Sequence, residues 1–356
     1  MFRINVNFLK PGMTLAKTIY GNDGQVLLSS GVNLRESYIQ KLKKIGISSL
    51  YIDTRETADI VIEDVICEQN RFEAKNIIRT TMNDVYKGRS IETKEIFNAV
   101  SNILDDLLGN KDIMLNLSDI KAADDYTFGH SVNVCVLSLV TGIAMGYNRE
   151  RLEKLGVGAV LHDIGKIAIP IDILNKPGKL TDTEYKIIQE HPRLGYEIVK
   201  KHPSISSLSA MVVLTHHERY DGTGYPLGKK GEEIYEFSRI VAIADVYDAL
   251  TSDRVYKKKA LPHEAIEYLI AMGNNQFDGD IVKKFIQHVA PYPVGTIVRL
   301  STGVQGIVVA VDKNCPNRPK VRCFWNKQGD TYLNEVEVNL ANLPSIKISA
   351  VLEKLE

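Results

Sequence analysis

One spaced series of metal-binding residue types constrains this chain more than any other feature: His130, His162-Asp163, His191, His216-His217 and Asp245. Five of the eight histidines belong to it, two of them adjacent to each other and one adjacent to an aspartate. Histidine is the commonest transition-metal ligand, and a carboxylate can bridge two ions. A mononuclear site closes with three or four protein ligands, so seven candidates over-supply a single ion. The series therefore predicts one buried site for more than one metal. Two ions about 4 Å apart form the clamp that phosphatases and nucleases use in phosphoryl displacement.

Each member has its own local reading. His162 and Asp163 close a helix expected over residues 149–163, and Gly165-Lys166 follows at once. A lysine at a helix end is ordinarily a solvated dipole partner, but beside a metal site it becomes a phosphate candidate. His191 is expected at the end of a helix over 184–190, opened by the capping box Thr181-Asp182-Thr183-Glu184. His216-His217 closes an apolar helix over 205–217, where neighbouring side chains diverge by about 100°. Asp245 sits in the run Ile240-Val241-Ala242-Ile243-Ala244, where a carboxylate costs several kcal/mol unless paired or metal-bound. Asp248 follows at i+3 on the same helix face and either reaches the ligand or is solvated. His202, His263 and His288 occupy polar positions and read as surface residues.

At 356 residues and about 150 per domain, two or three domains are expected. Residues 1–60 read as a small α/β module with a sensory or docking role, because short strand-like runs are punctuated by Pro11-Gly12 and Gly31. Residues 61–117 read as a helical connector. In it Ile96, Val100, Ile103, Leu104, Leu107 and Leu108 form one apolar face, which covers the next domain or meets a second copy of the chain as a homodimer. Residues 118–290 carry the ligand series on a helical core, and 292–356 read as a small β-rich module. The fold class is thus mainly α, an all-helical bundle core with a small module at each end.

Composition excludes several classes. Forty-four basic and 44 acidic residues balance, so no global field favours nucleic acid. No window approaches the roughly 20 apolar residues of a membrane span, and the start lacks a signal-peptide core, so a cytoplasmic location is expected. Cys67, Cys135, Cys315 and Cys323 form no CxxC pair and read as free thiols.

Together, His130, His162-Asp163-Ile164-Gly165-Lys166, His191, His216-His217-Glu218-Arg219, Asp221-Gly222-Thr223-Gly224-Tyr225-Pro226 and Asp245 resemble the HD-GYP domain, a branch of the HD metal-dependent phosphohydrolases. The similarity covers about 118–290, and its specificity lies in the order of the segments. It implies a bacterial phosphodiesterase that opens cyclic di-GMP to the linear dinucleotide and in some members to GMP. It implies one metal on His130, His162, Asp163 and Asp245 and a second on Asp163, His191, His216 and His217, with iron or manganese as the divalent ions. Three-metal members carry a glutamate one helical turn before the first histidine; Tyr126 stands there, which implies two ions.

The resemblance further implies a phosphate side lined by Lys166, Arg254 and Lys257. Gly222 and Gly224 allow a tight loop from which Tyr225 stacks on or hydrogen-bonds the ligand. The same Gly-Tyr-Pro loop is associated in this family with diguanylate-cyclase partners. The expected chemistry is in-line attack by a hydroxide bridging the metals at Asp163, with Lys166 neutralising charge on the phosphoryl group. The alternatives are a non-catalytic module that binds cyclic di-GMP or docks a partner, and the same chemistry on another cyclic dinucleotide.

Overall fold

The computed structural model describes residues 1–21, 25–62, 64–110, 126–252, 260–326 and 332–355. The chain forms two compact units. Among the described residues, one comprises 1–64 with 289–355 and the other 65–110 with 127–288.

The first unit joins the two ends of the chain. Strands β1 (Phe2–Asn5), β2 (Thr14–Leu15), β3 (Ile19–Tyr20) and β4 (Val26–Leu28) precede helix α1 (Glu36–Lys44) and strand β5 (Ser49–Asp53). β5 pairs antiparallel with both β1 and β2, while β3 and β4 pair with each other. The C-terminal part contributes β6 (Ile297–Leu300), β7 (Gln305–Ala310), β8 (Lys320–Asn326), β9 (Tyr332–Asn339) and β10 (Ile348–Leu352). They form one antiparallel sheet in the order β10-β6-β7-β8-β9. Alternate residues of β1 and β5 face inward, and Phe2, Ile4, Leu50 and Ile52 share a buried core with Ile297, Ile307 and Phe324. The segments 1–60 and 292–356, distinct in sequence character, thus bury a common apolar cluster. Arg322 adds a bidentate pair with Asp59 at 2.7 and 2.6 Å.

The second unit is helical: α2 (Glu68–Tyr86), α3 (Thr93–Gly109), α4 (Tyr126–Ala144), α5 (Arg149–Leu161), α6 (Ile171–Leu174), α7 (Asp182–Ile188), α8 (His191–Val199), α9 (Ser207–Thr215), α10 (Glu236–Thr251), α11 (Pro262–Ala271) and α12 (Gly279–Ile286). Its two most apolar long helices are buried on several faces: Val132, Val134, Val136 and Leu139 of α4, and Ile240, Val241 and Ile243 of α10, are all fully enclosed. Local signals set the helix starts. Asn148 caps α5 through Arg151 N at 2.9 Å, Ser206 caps α9, and Thr181 with Glu184 makes the expected capping box of α7. Five members of the apolar face of α3 (Ile96, Val100, Ile103, Leu104, Leu107) are buried inside this unit, with α5 packed on α3, whereas Leu108, expected on the same face, is exposed. Helix α9 packs against α5, α8 and α10, which draws their ends together.

Candidate metal centre

The seven residues of the series converge in the helical unit. His130 comes from α4 and Asp245 from α10, each within a buried helix. The other five stand at helix ends. His162 is the C-cap of α5, with Asp163 next; His216 is the C-cap of α9, with His217 next. His191 opens α8, a correction to its expected place at the end of the preceding helix, because α7 stops at Ile188. Gly165 is what allows α8 so close: a Cβ there would lie 1.9 Å from the His191 carbonyl oxygen.

Two ligand groups result. Asp163, His191, His216 and His217 offer atoms mutually within 4.8 Å, as do His130, His162 and Asp245. Asp163 faces both. Its Oδ2 lies 3.3 Å from His162 Nε2 and 3.8 Å from His130 Nε2, and its Oδ1 lies 3.4 Å from His191 Nε2 and 3.9 Å from His216 Nε2. Asp245 Oδ1 stands 3.0 Å from His130 Nε2, and its Oδ2 lies 3.9 Å from His217 Nδ1.

Tautomers follow from the outer partners. A backbone carbonyl only accepts, so Nδ1 of His162 donates to Ala159 O at 2.7 Å, Nδ1 of His191 to Ile188 O at 2.7 Å, and Nδ1 of His216 to Val213 O at 3.0 Å. In a neutral ring this leaves the lone pair on Nε2, aimed at Asp163. His191 Nε2 and His216 Nε2 then confront each other at 3.3 Å. Burial first, then the neighbouring imidazoles, hold the His216 pKa well below its ordinary value, so that ring stays neutral. Burial likewise brings His217 down to about 3.

Among the described residues, the buried atoms His162 Nε2 and Asp163 Oδ1 find no hydrogen-bond partner. An unsatisfied buried polar atom costs about 1–3 kcal/mol. A cation in each ligand group would satisfy these atoms and separate the facing lone pairs. Five imidazoles and two carboxylates form the nitrogen–oxygen donor set that suits first-row transition metals. The residues present fit a two-ion site.

The two carboxylates are kept ionised. Burial raises the pKa of Asp163, but Lys166 and His162 outweigh it and hold it well below the usual range. Burial acts the same way on Asp245, and the bond to His130 overcomes it. Burial would lower His130, yet its bonds to Asp245 and Asp248 carry it up to about 9.

The remaining candidates divide. Lys166, in the tight turn after Asp163, reaches Asp163 Oδ2 at 2.5 Å and keeps 27% of its side chain exposed. Tyr225 stacks on His217, ring centroids 4.8 Å apart. Its loop depends on two glycines: Gly222 has φ +87°, and a Cβ at Gly224 would lie 2.2 Å from Arg219 N. Asp248, expected to reach a ligand or be solvated, is instead buried behind His130, taking Nδ1–H at 2.7 Å and the Asn133 amide at 2.7 Å. Arg254 and Lys257 lie outside the described residues, as does the Tyr126 side chain. His202, His263 and His288 stay out of the cluster and are half-buried.

Two contributors receive no role from sequence, although Glu218 belongs to the His216-His217-Glu218-Arg219 segment. Asn133 is marked only by its i+3 spacing from His130. Glu218, 3% exposed, accepts from Leu227 N and Lys229 N and ties down the loop that bears Tyr225.

Residues 118–281 match the model of the HD domain family, and 297–356 match that of a KOW domain associated with the HD domain. A cyclic di-GMP phosphodiesterase of Pseudomonas aeruginosa, PA4108, is 37% identical over 267 residues, which are 75% of this chain and 64% of that protein. The 3'3'-cGAMP-specific phosphodiesterase 2 of Vibrio cholerae is 33% identical over 181 residues, 50% of this chain and 35% of that one. The chain therefore spans less than two thirds of the length of these curated relatives. Among solved structures, Bd1817 of Bdellovibrio bacteriovorus, an HDG"Y"P protein, superposes with TM-score 0.52 at 18% identity, over 80% of this chain and 97% of its own. That likeness establishes the shared fold.

Proposed function

We propose that the chain, whose residues 118–281 match the HD domain family and carry the HD-GYP segments, is a metal-dependent phosphodiesterase that opens cyclic di-GMP to linear pGpG, with GMP as a further product. The observation that carries this reading is the confrontation of His191 and His216, Nε2 to Nε2 at 3.3 Å, with both Nδ1 atoms committed to backbone carbonyls. Without a cation, that arrangement sets lone pair against lone pair.

In this reading His130, His162 and Asp245 would hold one ion and His191, His216 and His217 the other, with Asp163 shared by the two sets. Iron or manganese suits the donor set. When bound, two such ions supply Lewis acidity at phosphoryl oxygens and acidify water to near neutrality. The protein's own contributions are positional. Nδ1 bonds fix the aim of four imidazoles, and the glycine at 165 lets the His162 and His191 helices meet. Lys166 offers ammonium N–H groups to a phosphoryl oxygen at the mouth of the site. Tyr225 presents a ring from the loop above His217, suited to a base or ribose. Arg254 and Lys257 extend the phosphate side by resemblance alone.

A second substrate within the same chemistry is favoured by one observation, the 33% identity to a protein named as 3'3'-cGAMP-specific. Neither ligand group senses a base. The cytoplasm is the compartment this reading implies; among the described residues no helix is long and apolar enough to cross a membrane.

The test is anaerobic purification, metal counting per chain, and product chromatography with cyclic di-GMP and 3'3'-cGAMP side by side. Two ions per chain and preferential release of pGpG are expected, with both lost in Asp163→Ala. A protein loaded with two ions that cleaves neither dinucleotide would sink the assignment and favour the binding-module alternative.

A further inference from the structure

Behind His130 runs a buried line of hydrogen bonds that begins outside residues 118–281. Arg71 of α2, 9% exposed, donates Nη1–H to Asn133 Oδ1 at 3.1 Å. Asn133 donates Nδ2–H to Asp248 Oδ1 at 2.7 Å, and Asp248 Oδ2 receives His130 Nδ1–H at 2.7 Å. Ser252 Oγ donates to that same oxygen at 3.2 Å. Direction is enforced at every link. A guanidinium only donates and an ionised carboxylate only accepts, so the Asn133 amide has a single workable orientation. His130 is thereby turned with Nε2 towards Asp245, 3.0 Å away.

Helix α2 also touches the other side of the ligand cluster. Ile78, Thr81 and Met82 line one small cavity with Val160, Leu161 and Ile164, the residues flanking His162-Asp163. Arg71 and Ile78 are seven positions apart, two turns along one face of the helix. One rigid element therefore contacts the support of His130 and the segment that carries Asp163. Packed interiors transmit small shifts rather than absorbing them.

We infer that Arg71 is a positioning residue, through which the placement of α2 sets His130 and hence the affinity for the ion held by His130, His162 and Asp245. The inference rests on the two-ion reading above. It gives the connector a definite task, because a movement of α2 would reach the metal centre along this line. An apolar spacer at 71 would leave Asn133 free to turn, and Asp248 would lose one of the bonds that orient it.

The experiment compares wild type, Arg71→Met, Arg71→Lys and Asn133→Leu by stepwise Mn²⁺ titration, metal counting and thermal unfolding. Outer partners of metal ligands typically contribute about 10–100-fold in affinity, so Arg71→Met should weaken one of the two ions by about tenfold. The other ion should stay within about twofold. Arg71→Lys, whose ammonium still donates to Asn133 Oδ1, should recover most of the loss, and Asn133→Leu should weaken the same ion further. Equal weakening of both ions together with a lower melting temperature would mean a merely structural arginine and would overturn the inference. So would wild-type titration curves for Arg71→Met. A wild-type chain that binds no ion at all would overturn the two-ion reading and this inference with it, and is told apart by needing no variant.

Discussion

Glu218 Oε1 accepts the backbone N–H of Leu227 at 2.6 Å, and the same carboxylate takes Lys229 N at 3.1 Å through Oε2. Tyr225 lies between Glu218 and Leu227, so a buried carboxylate closes the loop that places its ring over His217. Hydrogen bonds to a charged group are worth about 1.5–3 kcal/mol each. Glu218→Ala should therefore raise the KM for the cyclic dinucleotide and lower the melting temperature. Bound metal should be unchanged, because α9 itself sets His216. Glu218→Gln keeps one acceptor and should fall between. Loss of metal in the alanine variant would refute the loop assignment.

Asp59 and Arg322 give a pH-dependent prediction for the unit that holds both chain ends. The bidentate bond from Arg322, acting first, brings the Asp59 pKa down to about 2. A depressed carboxylate stabilises the fold above its unfolded pKa of about 3.9, and that stability is lost as pH falls through about 2. Asp59→Asn should thus be less stable than wild type by a constant margin above about pH 4, with the margin closing between about pH 4 and 2. Asp59 is 65% exposed, so the margin should be small and should shrink in salt. Denaturation midpoints across a pH series check this; a difference independent of pH would exclude the pair as its source.

What was legible in sequence was scarce chemistry; what was hidden was common chemistry in a long-range setting. His130, His162 and Asp245 stand out because imidazoles and a carboxylate among valines and isoleucines have few uses. Asp248 shares a helix face with Asp245, but spacing cannot say whether it meets a ligand or the back of His130. Arg71 and Asn133 are ordinary residue types whose roles exist only through partners 62 and 115 positions away. His191 moved from a helix end to a helix start because Gln189 and Glu190 keep helical dihedrals between α7 and α8, which blurs the boundary. Strand β10 carries little local signal, because its partner β6 lies nearly fifty residues earlier and Ile348–Leu352 alternates only weakly. The core shared by Phe2, Leu50, Ile297 and Phe324 has no local signal at all.

Removing metal should destabilise the helical unit more than replacing any ligand that serves one ion alone. An ion at about a thousand times its Kd contributes about 4 kcal/mol, and 1 kcal/mol shifts the melting temperature by about 2–4 °C at this size. Chelation is then expected to lower the melting transition by on the order of 10 °C, reversed by Mn²⁺ or Fe²⁺. Asp163→Ala should resemble the chelated protein and gain nothing from metal, because its two oxygens face both ligand groups. His130→Ala should keep part of the response. Calorimetry with and without chelator measures it, and identical melting curves would argue against ions bound at these residues.

Lys166 separates charge at the phosphate from charge at the metals. Its Nζ lies 2.5 Å from Asp163 Oδ2, yet 27% of the side chain is open to solvent, so it can turn towards an incoming anion. The turn that carries it is pinned beneath α8 at Gly165, which keeps the lysine at the rim whatever the substrate. Removing one preorganised donor to a developing phosphoryl charge costs about 10²–10³ in kcat. Lys166→Met should show that loss with two ions still bound, since Asp163 keeps His162 and His191 beside it. Lys166→Arg retains the charge on a broader head and should recover part of the rate. If Lys166→Met instead sheds metal in proportion to activity, the ammonium serves to hold Asp163 in place, and the phosphate role fails.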